Sequence, residues 1–255
     1  MERERTAAAG LAFDANEAAM TAHDVIDDGE PEPGALRTGT GVGLDAVELA
    51  EDLALQPRGN PNAPVRDPDP GDLVKLLRDE RIAGLQLPAT ALADPDGIAR
   101  MEPLLAEAER ADKPVLVHPG PAPPGPAGLP AWWPALAPYV AQQHQAWLAW
   151  HIAGRRRHPR LRIAFVALAG LAPLHHERLA ARGGALGPLD PYVYYETSSY
   201  GTRAIDALIR VVGVDPIVHG SDRPYAQPVD PGLGSAFTHA LFTANPRHLL
   251  TGEPR

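Results

Sequence analysis

The sequence contains no cysteine among its 255 residues. Disulfide bonds, thiolate metal sites and cysteine nucleophiles are therefore excluded for this chain. Basic side chains are fewer than acidic ones: the chain has 23 lysines and arginines and 32 acidic residues, which gives a net charge of −9. Nucleic acids and anionic membranes bind basic surfaces, so we expect neither as a partner and favour a small-molecule substrate.

Long apolar runs are missing as well. No stretch approaches the length of a membrane span, and the charged start Met1–Arg5 is not followed by the apolar run of a secretory signal. The Gly-x-Ser-x-Gly elbow of serine hydrolases is also absent, which argues against that class of enzyme. We therefore expect a soluble cytoplasmic protein, with the oligomeric state left open and a homo-oligomer included.

The two ends of the chain differ in pattern. Residues 1–43 contain many turn-forming residues, as in Asp27–Gly34, and lack helical or strand periodicity. After them, apolar strands alternate with helices, which is typical of a parallel sheet buried on both faces. We predict an irregular segment at 1–43 and a barrel domain at 44–255. The fold class is α/β, TIM-barrel-like (β/α)8, and incomplete or irregular at its N-terminus.

The apolar pattern places the elements of this domain. The sequence predicts six strand–helix repeats from Leu53 onward. Pro103 is predicted to open a helix, because a proline at the first helical position loses no hydrogen bond. The predicted strands lie at 53–57, 82–88, 113–118, 161–168, 192–197 and 216–222, and the predicted helices at 72–78, 103–111, 138–156, 174–182 and 202–212.

Two of these strands end in residues that can bind a metal or move a proton. The apolar run Val115–Val117 leads to His118, and the run that begins at Ile217 leads to Asp222. The carboxyl ends of parallel strands gather ligands and catalytic groups, so we expect His118 and Asp222 to share one site. The alternative for Asp222 is a turn in which its side chain caps backbone amides.

Three further features are candidates for substrate binding. Trp132 and Trp133 belong to a long proline-rich loop after His118 and either form a pocket wall or pin the loop to the body or another subunit. Glu196 lies near the end of a predicted strand and either reaches the substrate or hydrogen-bonds a loop. Arg223 directly follows Asp222.

Other histidines have packing roles in this interpretation. His144 and His151 are seven residues apart on one predicted helix, whereas helical histidines that bind one metal are typically four apart, so we interpret both as packing residues. His219 lies on the opposite side of its predicted strand from Asp222. We therefore expect it to pack against the outer helices.

Several short motifs occur together in order. They are Pro114–Pro119, Pro159–Gly170, Leu171–Pro173 with Glu177-Arg178, Tyr194–Ser199, Gly220–Pro224 and Asn245-Pro246. On these motifs the chain from about Leu53 to Leu250 resembles the amidohydrolase-related family. These are metal-dependent TIM-barrel hydrolases and decarboxylases similar to aminocarboxymuconate semialdehyde decarboxylase.

The resemblance implies a divalent metal, usually zinc, with His118 and Asp222 as two of its ligands. It also implies a His-x-His pair on the first strand, yet residues 1–52 contain only His23. The sixth-strand histidine of the family is replaced by Ala167. Catalytic zinc normally has three protein ligands, so we expect weak or absent zinc occupancy. His175, His176 and Glu196 are conceivable substitutes.

The functional expectation follows from the resemblance. It implies an amidohydrolase-type hydrolase or decarboxylase that acts on a small carboxylated, amide or ester substrate, with Asp222 as the catalytic group. The alternative is a catalytically degenerate barrel that binds a small ligand or a protein partner.

Overall fold

The computed structural model describes residues 70–79, 81–122, 126, 128–185, 187–223 and 230–253. The predictions for residues 1–43 and for a strand at 53–57 lie outside the described residues.

The described part of the chain contains five parallel strands in one sheet. They are β1 (Leu85–Pro88), β2 (Val115–His118), β3 (Ile163–Phe165), β4 (Val193–Glu196) and β5 (Ile217–Val218). The sheet order is β1-β2-β3-β4-β5, so each strand pairs with the next one along the chain. Consecutive parallel pairing is the arrangement of a TIM barrel, and the α/β prediction is confirmed.

Helices connect these strands. Their bounds are α1 (Pro70–Leu77), α2 (Pro95–Arg110), α3 (Trp133–Leu136), α4 (Pro138–Ala149), α5 (Arg155–Arg157), α6 (His176–Ala180), α7 (Thr202–Val212), α8 (Ser235–His239) and α9 (Asn245–Thr251). Two π-helical turns, Trp150–Gly154 and Ala240–Ala244, join α4 to α5 and α8 to α9. None of the helices in the described part of the chain combines the length and hydropathy needed to cross a membrane.

Several predicted boundaries are wrong: the strand predicted at 161–168 ends at Phe165, and the largest errors are at the start of α2 and the end of β5. Helix α2 begins at Pro95, where the Asp94 side chain accepts a hydrogen bond from the Gly97 amide at 2.7 Å, and Pro103 lies inside the helix. The aspartate cap and the first-turn proline set the start, and these are stronger signals than a proline alone. The last strand was predicted to reach Asp222 but ends at Val218.

The two faces of the sheet have different partners. The residues that face the helices are Val115, Val117, Ile163, Phe165, Val193, Tyr195 and Ile217, all buried in the main core. The alternating residues Ala164, Tyr194 and Val218 form a second cluster with Leu249 of α9. Side chains alternate along a strand, so Glu196 lies on the same face as Tyr194, and His118 lies on the same face as Leu116.

Candidate functional site at the carboxyl ends of the strands

His118 is the last residue of β2 and reaches solvent at the strand end, while surrounding protein removes part of the hydration of its ring. Its Nδ1 lies 3.0 Å from the carbonyl oxygen of Pro119. A carbonyl can only accept, so Nδ1 carries the proton and the neutral ring keeps a free lone pair on Nε2. Desolvation by the surrounding protein lowers the pKa of His118, and this effect outweighs the raising effects of Pro119 and Asp222. The ring is therefore suited to bind a cation or accept a proton.

Asp222 lies in the loop after β5, and its carboxylate accepts a hydrogen bond from the Ser199 hydroxyl. The negative charge of Asp222 raises the pKa of His118, so the two side chains are within electrostatic range of each other. Asp222 has a left-handed backbone with φ of 54°. Aspartate and asparagine adopt this conformation more readily than most other residues, which suits Asp222 to this position.

Glu196 contacts the loops that follow β3, β4 and β5. Its side chain is 2% exposed. The carboxylate accepts hydrogen bonds from the Ala167 amide at 3.2 Å, from the Ser198 amide at 2.7 Å and from the Ser198 hydroxyl. A Cβ added to Gly220 would lie 0.9 Å from the Glu196 Oε1 atom, so only glycine leaves room for the carboxylate. These contacts match the loop-bonding alternative, and substrate binding by Glu196 remains a prediction.

A left-handed turn follows β3. Ala167, Leu168, Ala169 and Leu171 have φ between 49° and 60°, as does Gly170. Such a backbone costs about 1–2 kcal/mol for each residue that carries a Cβ. Two contacts hold the turn: the Ala167 amide donates to Glu196, and Gly170 packs so closely on α4 that an added Cβ would lie 2.4 Å from the Val140 carbonyl oxygen. Strained backbone of this kind clusters at functional sites.

The residues present fit only part of the metal site that the resemblance implies. His118 and Asp222 offer one imidazole and one carboxylate. Within the described ranges, no three His, Asp or Glu side chains come together as metal ligands. The three-ligand set with His118 and Asp222 is therefore not completed by His175, His176 or Glu196. His175 instead lies against His144, with ring centroids 4.9 Å apart.

The remaining candidates lie on the surface. Trp132 is 56% exposed and Trp133 is 39% exposed, and their ring centroids are 6.1 Å apart. Arg223 is exposed next to Asp222. Substrate binding by these three residues remains a prediction.

Two histidines pack as expected. The Nδ1 atom of His151 lies 2.8 Å from the Trp147 carbonyl oxygen. The His219 ring packs on Phe242, with centroids 4.4 Å apart, as predicted for a side chain that faces the outer helices.

Three hydroxyl residues that bond Glu196, Asp222 and Gly220 were given no role from the sequence. Ser198 and Ser199 donate to Glu196 and Asp222, while Thr197 Oγ1 accepts a hydrogen bond from the Gly220 amide at 3.1 Å. The available signal was the run of three hydroxyl residues directly after β4, since such residues commonly bond nearby groups at strand ends.

Comparisons with known proteins agree with this fold. No family model matches the sequence, and no curated protein matches it. Among solved structures, IDCase from Metarhizium anisopliae in apo form is 20% identical, with a TM-score of 0.57 over 71% of this chain and 59% of that chain. An amidohydrolase II structure is 16% identical, with a TM-score of 0.57 over 72% of this chain and 68% of that chain.

A third solved structure has ligands. The 5-carboxyvanillate decarboxylase from Novosphingobium aromaticivorans, complexed with manganese and 4-hydroxy-3-methoxy-5-nitrobenzoic acid, is 16% identical, with a TM-score of 0.56. The match covers 71% of this chain and 61% of that one, and this chain spans less than two thirds of the length of both this structure and the IDCase structure. At these identities the similarity shows the fold, which is amidohydrolase-related as the sequence motifs indicated.

Proposed function

We propose that this protein is an enzyme of the hydrolase or decarboxylase type, acting on a small carboxylated substrate, amide or ester at the carboxyl ends of β2 and β5. The observation that supports the proposal is that His118 ends one strand and Asp222 follows another at the carboxyl edge of one parallel sheet, where the charge of Asp222 raises the pKa of His118. This edge of a parallel α/β fold is where catalytic groups gather. The fold is also that of solved decarboxylases and amidohydrolases.

Asp222 is the proposed proton-transfer group. In decarboxylation the bond to the carboxyl carbon breaks, its electron pair stays on the substrate carbon, and that carbon takes up a proton as CO2 leaves. In hydrolysis a water molecule loses a proton as it attacks the carbonyl carbon. Both reactions need a group that holds or releases a proton beside the substrate, and a carboxyl group near an imidazole can do either.

We further propose that the free Nε2 of His118 and the Asp222 carboxylate bind a divalent cation, either manganese or zinc. Nitrogen and carboxylate oxygen are ligands of both metals. Two protein ligands are fewer than a dependable catalytic site uses, so we expect weak binding that needs added metal. The catalytic role of Asp222 does not depend on this part of the proposal.

A second candidate is a degenerate barrel that binds a small ligand without chemistry. It is favoured by Ala167, which stands where the family has a histidine, and by the Glu196 carboxylate, whose described hydrogen bonds go to loop residues. A binding assay and an activity assay on the same substrate panel distinguish the two candidates.

The test compares wild-type protein with Asp222→Asn on small esters, amides, 2-keto acids and aromatic carboxylates, with and without added Mn2+ or Zn2+. Asparagine tolerates the left-handed backbone but cannot take up a proton. We expect the rate to fall at least about 100-fold, the low end for loss of a general base, with an unchanged melting temperature.

The matched control is Asp206→Asn, because Asp206 lies on α7 in a surface pair with Arg210. It should keep the wild-type rate. Equal activity in wild type and Asp222→Asn would remove Asp222 from the site. Binding without turnover under every metal condition would favour the degenerate barrel.

A further inference from the structure

A second concave surface lies between α4 and the segment from Ala172 to Arg182. This groove has a volume of about 310 Å³. Its polar lining residues are His144, His175, His176, Arg178 and Arg182. Trp147, Leu148, Ala172 and Leu179 form its apolar walls. Neither His118 nor Asp222 lines it, so the groove is a different place from the strand-end site.

The groove is lined by basic residues, whereas the protein as a whole carries a net negative charge. Every polar residue that lines it is cationic or can become so, although the net charge of the chain is −9. Arg178 and Arg182 are four residues apart and exposed, and within the described part of the chain neither takes part in an ion pair. Glu177 is the only acidic residue of α6, and it does not line the groove. Unpaired guanidinium groups beside one another favour an anion.

The two facing histidines strengthen this preference. The rings of His144 and His175 lie 4.9 Å apart at 45° to each other. Desolvation and the neighbouring His175 lower the pKa of His144. An anion beside the rings would stabilise their protonated forms, whereas a bound metal cation would be repelled by the two arginines. No three metal ligands converge there among the described residues.

The apolar walls restrict the kind of anion. Trp147 and Leu148 lie on α4 and Leu179 lies on α6, so a ligand in the groove would meet hydrocarbon as well as cationic side chains. The volume is at the lower end for small-molecule pockets and matches a single-ring molecule. Free phosphate would satisfy the charge but leave the apolar walls without a partner.

We propose that this groove is a second ligand site that binds a small aromatic carboxylate. The carboxylate pairs with Arg178 and Arg182, and the ring lies against the apolar wall beside the facing histidines. This proposal stands apart from the catalytic one, because it needs no turnover and no residue of the strand-end site.

The test is a titration with benzoate, followed by the NMR signals of the histidine ring C–H groups. We expect the His144 and His175 signals to shift in a saturable way and the pKa of His144 to rise. The titratable and charged groups that line the groove with His144 are His175, His176, Arg178 and Arg182, and a bound carboxylate would add a negative charge among them. The double variant Arg178→Gln/Arg182→Gln should weaken binding at least about 10-fold, since each charge-assisted pair contributes more than a neutral one.

Three controls make the result decisive. Arg203→Gln on α7 removes an exposed arginine elsewhere and should leave benzoate binding unchanged. Inorganic phosphate should bind more weakly than benzoate, and equal binding would overturn the aromatic preference. A benzoate response confined to the His118 signal, or groove shifts that depend on protein concentration without benzoate, would overturn the proposed site.

Discussion

The two ends of the β-strands use polar groups in opposite ways. At the amino end of β3, Arg162 is 5% exposed and its guanidinium donates to the Asp112 carboxylate at 2.8 Å and to the Leu249 carbonyl at 2.8 Å. At the carboxyl ends, His118 is exposed with a free ring nitrogen and Asp222 lies in a left-handed turn.

A second arginine extends the contrast. Arg155 donates to the Asp190 carboxylate at 2.5 Å and to the carbonyl oxygens of His158 and Leu161 at 2.7 and 2.9 Å. Its guanidinium carbon also lies 5.3 Å from the centre of the Trp150 ring. In α/β barrels the amino-terminal face stabilises and the carboxyl-terminal face reacts. The amino end thus holds the fold, whereas the carboxyl ends combine Glu196, which holds loops, with His118 and Asp222, which are the candidates for chemistry.

The largest loss of stability is expected from a substitution at the amino end of the strands. Arg162→Gln removes the buried guanidinium that bonds the Leu249 carbonyl and the exposed Asp112 carboxylate. Each hydrogen bond to a charged group typically contributes about 1.5–3 kcal/mol. We expect the free energy of unfolding, measured by urea denaturation, to fall by that amount. Protein that remains folded should keep its wild-type activity per molecule.

The control for this change is Arg210→Gln, which breaks the exposed Arg210–Asp206 pair on α7. Stability should hardly change there, because solvent already screens that pair. If the two variants unfold at the same urea concentration, the amino end does not have the stabilising role assigned to it.

A smaller effect is expected from Gly220→Ala at the carboxyl end. The added methyl group would displace the Glu196 carboxylate, and overpacking of this kind costs about 1–3 kcal/mol. Because Glu196 also holds the Ala167 amide, the left-handed turn should loosen as well. Amide hydrogen exchange of residues 167–171 should become faster in the variant.

Gly201→Ala is the matched control, since nothing lies within 4 Å of an added Cβ at Gly201. It should leave exchange in the 167–171 turn as in wild type. Unchanged exchange in Gly220→Ala would show that Glu196 does not hold the turn.

Much of the described fold could be predicted because its signals are local. Apolar runs predicted the neighbourhood of all five strands, and α7 begins at Thr202 and ends at Val212 as the sequence predicted. The start of α2 and the end of β5 were predicted at the wrong residues. In the first case the Asp94-Pro95 cap was overlooked. In the second the predicted strand was carried on to Asp222, although the apolar run already ends at Val218.

The candidate site was less predictable, because its contacts join residues far apart in sequence. His118 and Asp222 could be proposed from strand ends alone. The close contact between Glu196 and Gly220 joins the ends of two different strands. A glycine at position 220 is also expected in an ordinary turn, so nothing in the sequence indicated this contact. The turn at 167–171 contains one glycine in five residues, so no local propensity indicates its left-handed backbone.

The most direct test of the central claim is the pKa of His118, measured by NMR in wild type and in Asp222→Asn, with Asp206→Asn as control. The account predicts that the pKa of His118 in wild type lies below that of an ordinary histidine, because desolvation outweighs the other effects. It predicts a still lower pKa in Asp222→Asn, because removing the nearby negative charge disfavours the imidazolium form. The control should match wild type. A His118 pKa that is the same in all three proteins would contradict the shared site.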